Sequence, residues 1–182
     1  RTRAADDKLA TGNPKSSKKQ FNILQVNISG LQNKKDELAQ MLKDMDIRIA
    51  AIQETILPQR DINITGYTKY SCECSRNCQG IMTLVRNDTQ AKVQNIKTAS
   101  DLDTQKILAW NDEDGKFFTI FNIYCPPNSK HKLEFVDSRY TRTIIAGDFN
   151  AHFPSWGYNL YNKRGKAVEA LCNGSNLILQ QD

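Results

Sequence analysis

The sequence predicts an α/β fold, a two-sheet α/β sandwich with helices covering the sheets. Three observations predict it. A strand–helix–strand unit fills residues 21–54, and β-favouring segments follow one another from 80 to 127. A last apolar run, Ile144, Ile145 and Ala146, then ends abruptly among polar side chains.

Each element has its own signature. "FNILQVNI" (21–28) is rich in β-formers and stops at the turn "SG". "NKKDELAQMLKDMD" (33–46) sets Leu38, Met41, Leu42 and Met45 at helical spacing, with Lys and Asp on the outer face. "IRIAAIQE" (47–54) reads as a second strand ending in Glu54, which completes a βαβ-like unit. "GIMTLVRND" (80–88), "AKVQNIKT" (91–98), "QKILAWND" (105–112) and "KFFTIFNIYCPP" (116–127) are further strands. Pro126 and Pro127 stop the last of these, and "EDG" (113–115) marks a hairpin before it. A short helical stretch is expected around Leu133 to Tyr140. "NKRGKAVEALCNGSN" (162–176) places Ala167, Val168, Leu171 and Cys172 on one face, with Gly174 as a C-terminal stop. "LILQ" (177–180) begins another strand.

Composition bounds the function. With 182 residues, 39% of them hydrophobic and 25% charged, one domain with a real core is expected. No apolar run approaches the roughly 18 residues that span a bilayer, and the first residues given lack the apolar stretch of a secretory signal. The expectation is a soluble intracellular protein with no membrane partner. Residues 1–20 hold Arg1, Arg3, Lys8, Lys15, Lys18 and Lys19 against Asp6 and Asp7, so most of the net charge of +5 sits there. That segment reads as a basic, disordered lead-in to a domain at 21–182. Cys72, Cys74 and Cys78 form C-x-C-x3-C without the second pair a tetrahedral zinc site commonly uses, so they read as reduced thiols.

What ends the strands is more informative. Asn27, Glu54 and Tyr124 close three of them, and Asn122 lies two residues before Tyr124. In "TIIAGDFNAH" (143–152), Gly147 frees the backbone, and Asp148, Asn150 and His152 recur at every second position, on one side of an extended chain. Side chains at strand ends combine a fixed backbone with open space for a substrate. This set is rich in oxygen, which suits a hard cation such as Mg²⁺ held by one or two carboxylates. Downstream, "FPSWGYNLYNKRGK" (153–166) interleaves aromatics such as Trp156 with Lys163, Arg164 and Lys166, a pattern able to grip a nucleic-acid backbone or to pack beneath the site.

"LQVNISGLQNKKDEL", "AAIQET", "FNIYCPPNS" and "IIAGDFNAHFPSWG" resemble, in this order, the endonuclease/exonuclease/phosphatase superfamily. Within it they are most similar to the apurinic-type endonuclease domain of non-LTR retrotransposons of the jockey and R1 kind. The resemblance runs from about Phe21 to the end, and "GDFNAH" followed by Pro and "WG" is its most specific part. It implies a DNase I-like fold and a metal-dependent endonuclease, with Mg²⁺ or alternatively Mn²⁺ as cofactor. The implied substrate is double-stranded DNA, cut to leave a 3′-hydroxyl that primes reverse transcription. The implied partner is the reverse transcriptase domain of the same polyprotein, and the implied location is nuclear when chromosomal DNA is the target. By motif, Glu54 and Asn27 would hold the metal, Asp148 would activate the attacking water, and Asn150 would fix that Asp or the phosphate. Tyr124 would donate to the phosphate. His152, Trp156, Lys163 and Arg164 would contact substrate.

The chain departs from the family pattern in two places. Ser29 stands where an acidic or amide residue is common. The later Asp and the Ser-Asp-His motif of the family are not found, since the histidines are His131 and His152. The expectation is therefore an incomplete domain, lacking its closing strands, with little or no nicking on its own. Two alternatives remain open from sequence: a phosphodiesterase or phosphatase of the same fold acting on another substrate, and a non-catalytic nucleic-acid-binding remnant.

Overall fold

The computed structural model describes residues 20–56, 62–72, 80–96, 102–127, 142–175 and 177–180. The basic segment 1–19, Cys74, Cys78, His131 and the expected helical stretch at 133–140 lie outside the described residues.

The first unit forms as its pattern predicts. Strand β1 (Asn22–Asn27) leads through a 3₁₀ turn into helix α1 (Lys35–Asp44) and then strand β2 (Ile47–Gln53), which pairs parallel to β1. A helix of ten residues is marginal alone, so α1 owes its stability to burial of Leu38 and Leu42 on the sheet. Met45, expected on the same apolar stripe, is 52% exposed. The helix has ended by then: Asp46 adopts φ 49, which turns the chain into β2 and carries the i+7 position off the sheet.

Strands β3 (Tyr67–Ser71) and β4 (Ile81–Arg86) complete one sheet in the order β1-β2-β4-β3. The sequence reading did not anticipate β3. Its "YTKYS" has no apolar run, and it holds its place partly through the Tyr67 hydroxyl, which donates to the Ile47 carbonyl at 2.5 Å. The second sheet has the order β5-β6-β7-β8, from strands β5 (Ala91–Asn95), β6 (Asp103–Asn111), β7 (Lys116–Tyr124) and β8 (Thr143–Asp148). The hairpin expected at "EDG" joins β6 to β7 antiparallel, and β8 adds to β7 in parallel.

Helix α2 (Lys163–Gly174) covers the second sheet. Val168 is buried as expected, whereas Ala167 is exposed and Arg164 and Gly165 are buried instead. Gly174 does not act as a left-handed stop. The helix ends at Ser175, whose hydroxyl donates to the Leu171 carbonyl at 2.5 Å. Residues 177–180 form no strand, and Ile178 is 89% exposed. An apolar run becomes a strand only beside a partner ladder, and no described strand pairs with this one.

Alternation along β2 explains the layering. Ala50 and Ile52 pack with Leu38, Leu42, Met82 and Leu84 beneath α1. Ile49 and Ala51 face the other way and meet Ile107, Ala109, Ile120 and Ala146 between the sheets. Phe121, Ile123 and Cys125 pack with Val168 beneath α2. The result is helix, sheet, sheet, helix, as an α/β sandwich requires.

Candidate active site at the strand ends

The C-terminal ends of β1, β2, β7 and β8 converge. Asn27 lies opposite Gln53 in the parallel register, so Glu54 is the next residue along β2. Tyr124 lies opposite Asp148. The two sheets are joined where Asn27 Nδ2 donates to Asp148 Oδ2 at 2.7 Å, across 121 positions of sequence. The other carboxylate oxygen, Oδ1, accepts from the Asn150 amide at 2.8 Å. With both oxygens engaged, the plane of the Asp148 carboxyl is fixed.

Unusual backbone shapes this rim. Ser29, Glu54, Ile56 and Asn150 all have positive φ, at 44, 53, 48 and 47. Each non-glycine residue there costs on the order of 1 kcal/mol, tolerated where the surroundings hold it. Here they do. Ser29 N donates to Asn27 Oδ1 at 3.1 Å, and Gly30 N donates to the Glu54 carbonyl at 2.8 Å. Lys34 Nζ donates to the Ile28 carbonyl at 2.5 Å.

The turn at Asn150 corrects one expectation. Asp148, Asn150 and His152 do not share a side of an extended strand, because β8 ends at Asp148 and the chain turns left-handed two residues later. Asn150 instead points its Nδ2 at the Cys125 carbonyl, 3.0 Å away. His152 is exposed and stacks on Tyr158 with ring centroids 4.4 Å apart. Gly147 is needed for space and not for backbone freedom: a Cβ there would lie 2.1 Å from the Ile123 carbonyl oxygen.

The remaining expected residues separate by exposure. Lys163 is exposed, Trp156 is half-buried against the core under α2, and Arg164 is buried. Arg164 sits beside the Cys125 thiol. Burial pushes that thiol up to about 11, with Arg164 opposing the shift and Asp148 adding to it. Tyr124, the register partner of Asp148, is only 1% exposed.

Three features were not anticipated. Asn162 caps α2 and reaches back to the 150–152 segment. Its signal was legible, an Asn immediately before a helical pattern. A chain of polar side chains links the sheets, entered from the exposed Gln25 and buried from Gln53 onward: Gln25 to Gln53, Gln53 to Asn122, Asn122 to Thr83, and Thr83 to Gln105. Each of the first three amides precedes Asn27, Glu54 or Tyr124 by one or two residues on its own strand. Lys34 is the third, and nothing in its sequence context marked it.

Comparison with known proteins agrees with this architecture. Residues 118–182 match the family model described as endonuclease-reverse transcriptase. The solved endonuclease domain of TRAS1, a telomere-specific non-LTR retrotransposon, superposes with a TM-score of 0.62 at 17% identity, over 85% of this chain and 71% of that one. Residues 118–182 carry the family similarity, and the chain as a whole shares the fold of that endonuclease domain. An AP endonuclease from Leishmania major aligns with a TM-score of 0.55 at 16% identity, over 80% of this chain and 60% of that one. One from Archaeoglobus fulgidus gives 0.55 at 15%, over 85% and 70%. No curated protein sequence matches. The α/β sandwich expected from sequence is the fold observed, and it is DNase I-like. Among the described residues, no helix is long and apolar enough to cross a membrane.

Proposed function

We propose that this chain is a metal-dependent DNA endonuclease domain of a non-LTR retrotransposon polyprotein. It would hydrolyse a phosphodiester of double-stranded DNA and leave a 3′-hydroxyl for a linked reverse transcriptase. The observation that carries the reading is the Asn27–Asp148 hydrogen bond, 2.7 Å between residues on different sheets. Core packing alone would not place an amide and a carboxylate face to face at the rim of two sheets, with Glu54 one residue beyond Asn27's register partner.

The donor set suits Mg²⁺. Among the described residues no three His, Cys, Asp or Glu side chains form a metal cluster. Mg²⁺ needs only one or two carboxylates and keeps several waters. Glu54 would hold it, with the Asn27 carbonyl oxygen beside. When bound, the ion supplies positive charge where the phosphoryl oxygens gain negative charge.

This chain's own residues would do the rest. Asp148, with its carboxyl plane fixed by two neutral donors, would orient the attacking water and accept its proton. Asn150 would fix Asp148 through its backbone amide. Tyr124 would form the wall behind them. The exposed His152 and Lys163 would face the DNA backbone.

The test combines nicking with metal binding. Supercoiled plasmid should be nicked slowly in Mg²⁺, stopped by EDTA and abolished by Asp148→Ala. Mg²⁺ should also raise the melting temperature of the wild type and not of Glu54→Gln. Nicking that survives Asp148→Ala, or a chain that neither nicks nor gains stability from Mg²⁺, would overturn the reading. Hydrolysis of phosphomonoesters or inositol phosphates in preference to DNA would move the assignment to another branch of the fold.

A further inference from the structure

We infer that Asn162 is a positioning residue, whose side chain holds the Asp148–Asn150 turn in its working shape. This rests on the endonuclease reading for its catalytic meaning, though not for its geometry.

Asn162 uses every arm of its side chain. Oδ1 accepts from Gly165 N at 2.7 Å, which is the N-cap of α2. The same oxygen accepts from His152 N at 3.2 Å. Nδ2 donates to the Asn150 carbonyl at 2.9 Å. Its backbone N–H adds a bond to the His152 carbonyl at 3.1 Å. A helix cap needs only the first of these. The other three grip the 150–152 segment, whose first residue, Asn150, sits at φ 47 and contacts Asp148 directly.

Helix and loop also fit without slack. A Cβ at Gly165 would lie 1.8 Å from the His152 carbonyl oxygen, so the first turn of α2 packs directly on the loop backbone. The Asn150 side chain is anchored separately to Cys125, at the end of β7. Asn150 is therefore clamped from two sides: β7 holds its side chain, and Asn162 holds its carbonyl. Release of the second clamp lets the left-handed turn relax, and the Asn150 amide then leaves Asp148 Oδ1.

Two substitutions separate capping from positioning. Asn162→Ser keeps a good N-cap but is too short to reach Asn150. Asn162→Asp keeps both acceptor bonds and loses the donor to the Asn150 carbonyl. In both, the melting temperature and the hydrogen exchange of α2 amides should stay near wild type. The Asn150 amide should exchange at least tenfold faster, and the turnover number for nicking should fall at least tenfold while KM for DNA is unchanged. Asn150 exchange within twofold of wild type in both variants overturns the inference. So does faster exchange with an unchanged turnover number, or a loss confined to KM. If the wild type neither nicks nor gains stability from Mg²⁺, the endonuclease reading falls, and the exchange result alone decides whether Asn162 holds the turn.

Discussion

Gln53 and Asn122 meet in the space between the two sheets, where Gln53 Nε2 donates to Asn122 Oδ1 at 2.7 Å and neither side chain is exposed. Asn122 Nδ2 in turn lies 3.1 Å from the Met82 carbonyl and 3.2 Å from Thr83 Oγ1. A buried amide with all its partners fixes one register of sheet on sheet, because any slip strands several polar groups at once. The relay thereby sets where Asn27, Glu54 and Tyr124 emerge. Asn122→Ala should cost about 3 kcal/mol or more, since it leaves Gln53 and Thr83 short of partners. Gln53→Met combined with Asn122→Leu should recover part of that loss, as both ends become apolar. Urea unfolding of the two single variants and the double reads this directly. Simple additivity would mean the amides do not act as a unit.

The two glycines at close approaches should be intolerant for a steric reason. Gly147→Ala and Gly165→Ala each drive a Cβ onto a carbonyl oxygen of the backbone, at Ile123 and His152, which cannot swing aside as a side chain could. Each should lose about 2–4 kcal/mol in denaturant unfolding, as overpacked buried sites do. Gly174→Ala, with nothing within 4 Å of its added Cβ, should be neutral or slightly stabilising. Equal effects at all three positions would refute the close-packing account.

The parts of this architecture that sequence exposed are those whose signal is local. β1, β2, β7 and β8 were legible because apolar runs end at Ser-Gly, Glu54, Pro126 and Asp148, and α1 because Leu38 and Leu42 repeat at helical spacing. β3 was not, since a Tyr- and Lys-bearing edge strand needs its neighbour to exist. Met45 fits its helical face by spacing, yet α1 ends before it, and Ala167 lies inside α2 but off the buried stripe that runs through Arg164, Gly165 and Val168. The polar rim could be read as a collection of strand ends. The amide relay could not: Gln53, Asn122 and Gln105 look like solvent-facing positions until a second sheet covers them. Asn162 looked like a helix start, and only folding shows what else its amide reaches.

Cys125 gives the fold a pH dependence in alkali. Its thiol is buried and pushed up to about 11, from an ordinary value near 9. The folded state therefore keeps the proton longer than the unfolded state does. Stability from this group is intact below about pH 9 and falls as the pH rises toward 11, by roughly 2–3 kcal/mol across that window. Guanidine unfolding at pH 8 and pH 10.5 should show a smaller drop for Cys125→Ala than for the wild type, which isolates the thiol from lysines and tyrosines titrating in the same range. An identical drop in both would exclude it.

The neighbouring cations of "KRGK" should behave differently from one another. Lys163 is exposed at the start of α2, whereas Arg164 is buried beside Cys125. If Lys163 meets a phosphate, Lys163→Ala should weaken DNA binding uniformly across sequences and lower the salt slope by about 0.9, with the melting temperature unchanged. Arg164→Ala should lower the melting temperature first, because its guanidinium is enclosed in the packing between α2 and the sheet. Fluorescence anisotropy across a salt series, beside thermal melts, distinguishes them. A stable Arg164→Ala with a reduced salt slope would place the guanidinium on the DNA.

The Asn27–Asp148 contact can be tested without any assay of catalysis. Asn27→Asp replaces a donor with a second carboxylate at hydrogen-bond distance from Asp148. Two carboxylates so close resist double ionisation, so the pair should hold a shared proton to higher pH when folded than when unfolded. A folded-state value raised in this way stabilises at low pH and ceases to do so as the pH climbs through it. The variant should therefore lie close to wild type near pH 4 and fall behind by about 1–2 kcal/mol near pH 7, a modest figure because the rim is partly solvated. Mg²⁺ should restore much of the difference at pH 7 if Glu54 and its neighbours hold the ion, and calcium or sodium at equal ionic strength should restore less. Urea midpoints at the two pH values, with and without Mg²⁺, give all of these comparisons from one protein preparation. A deficit that is the same at both pH values would mean that the two side chains do not meet, and the site at the strand ends would lose its central contact.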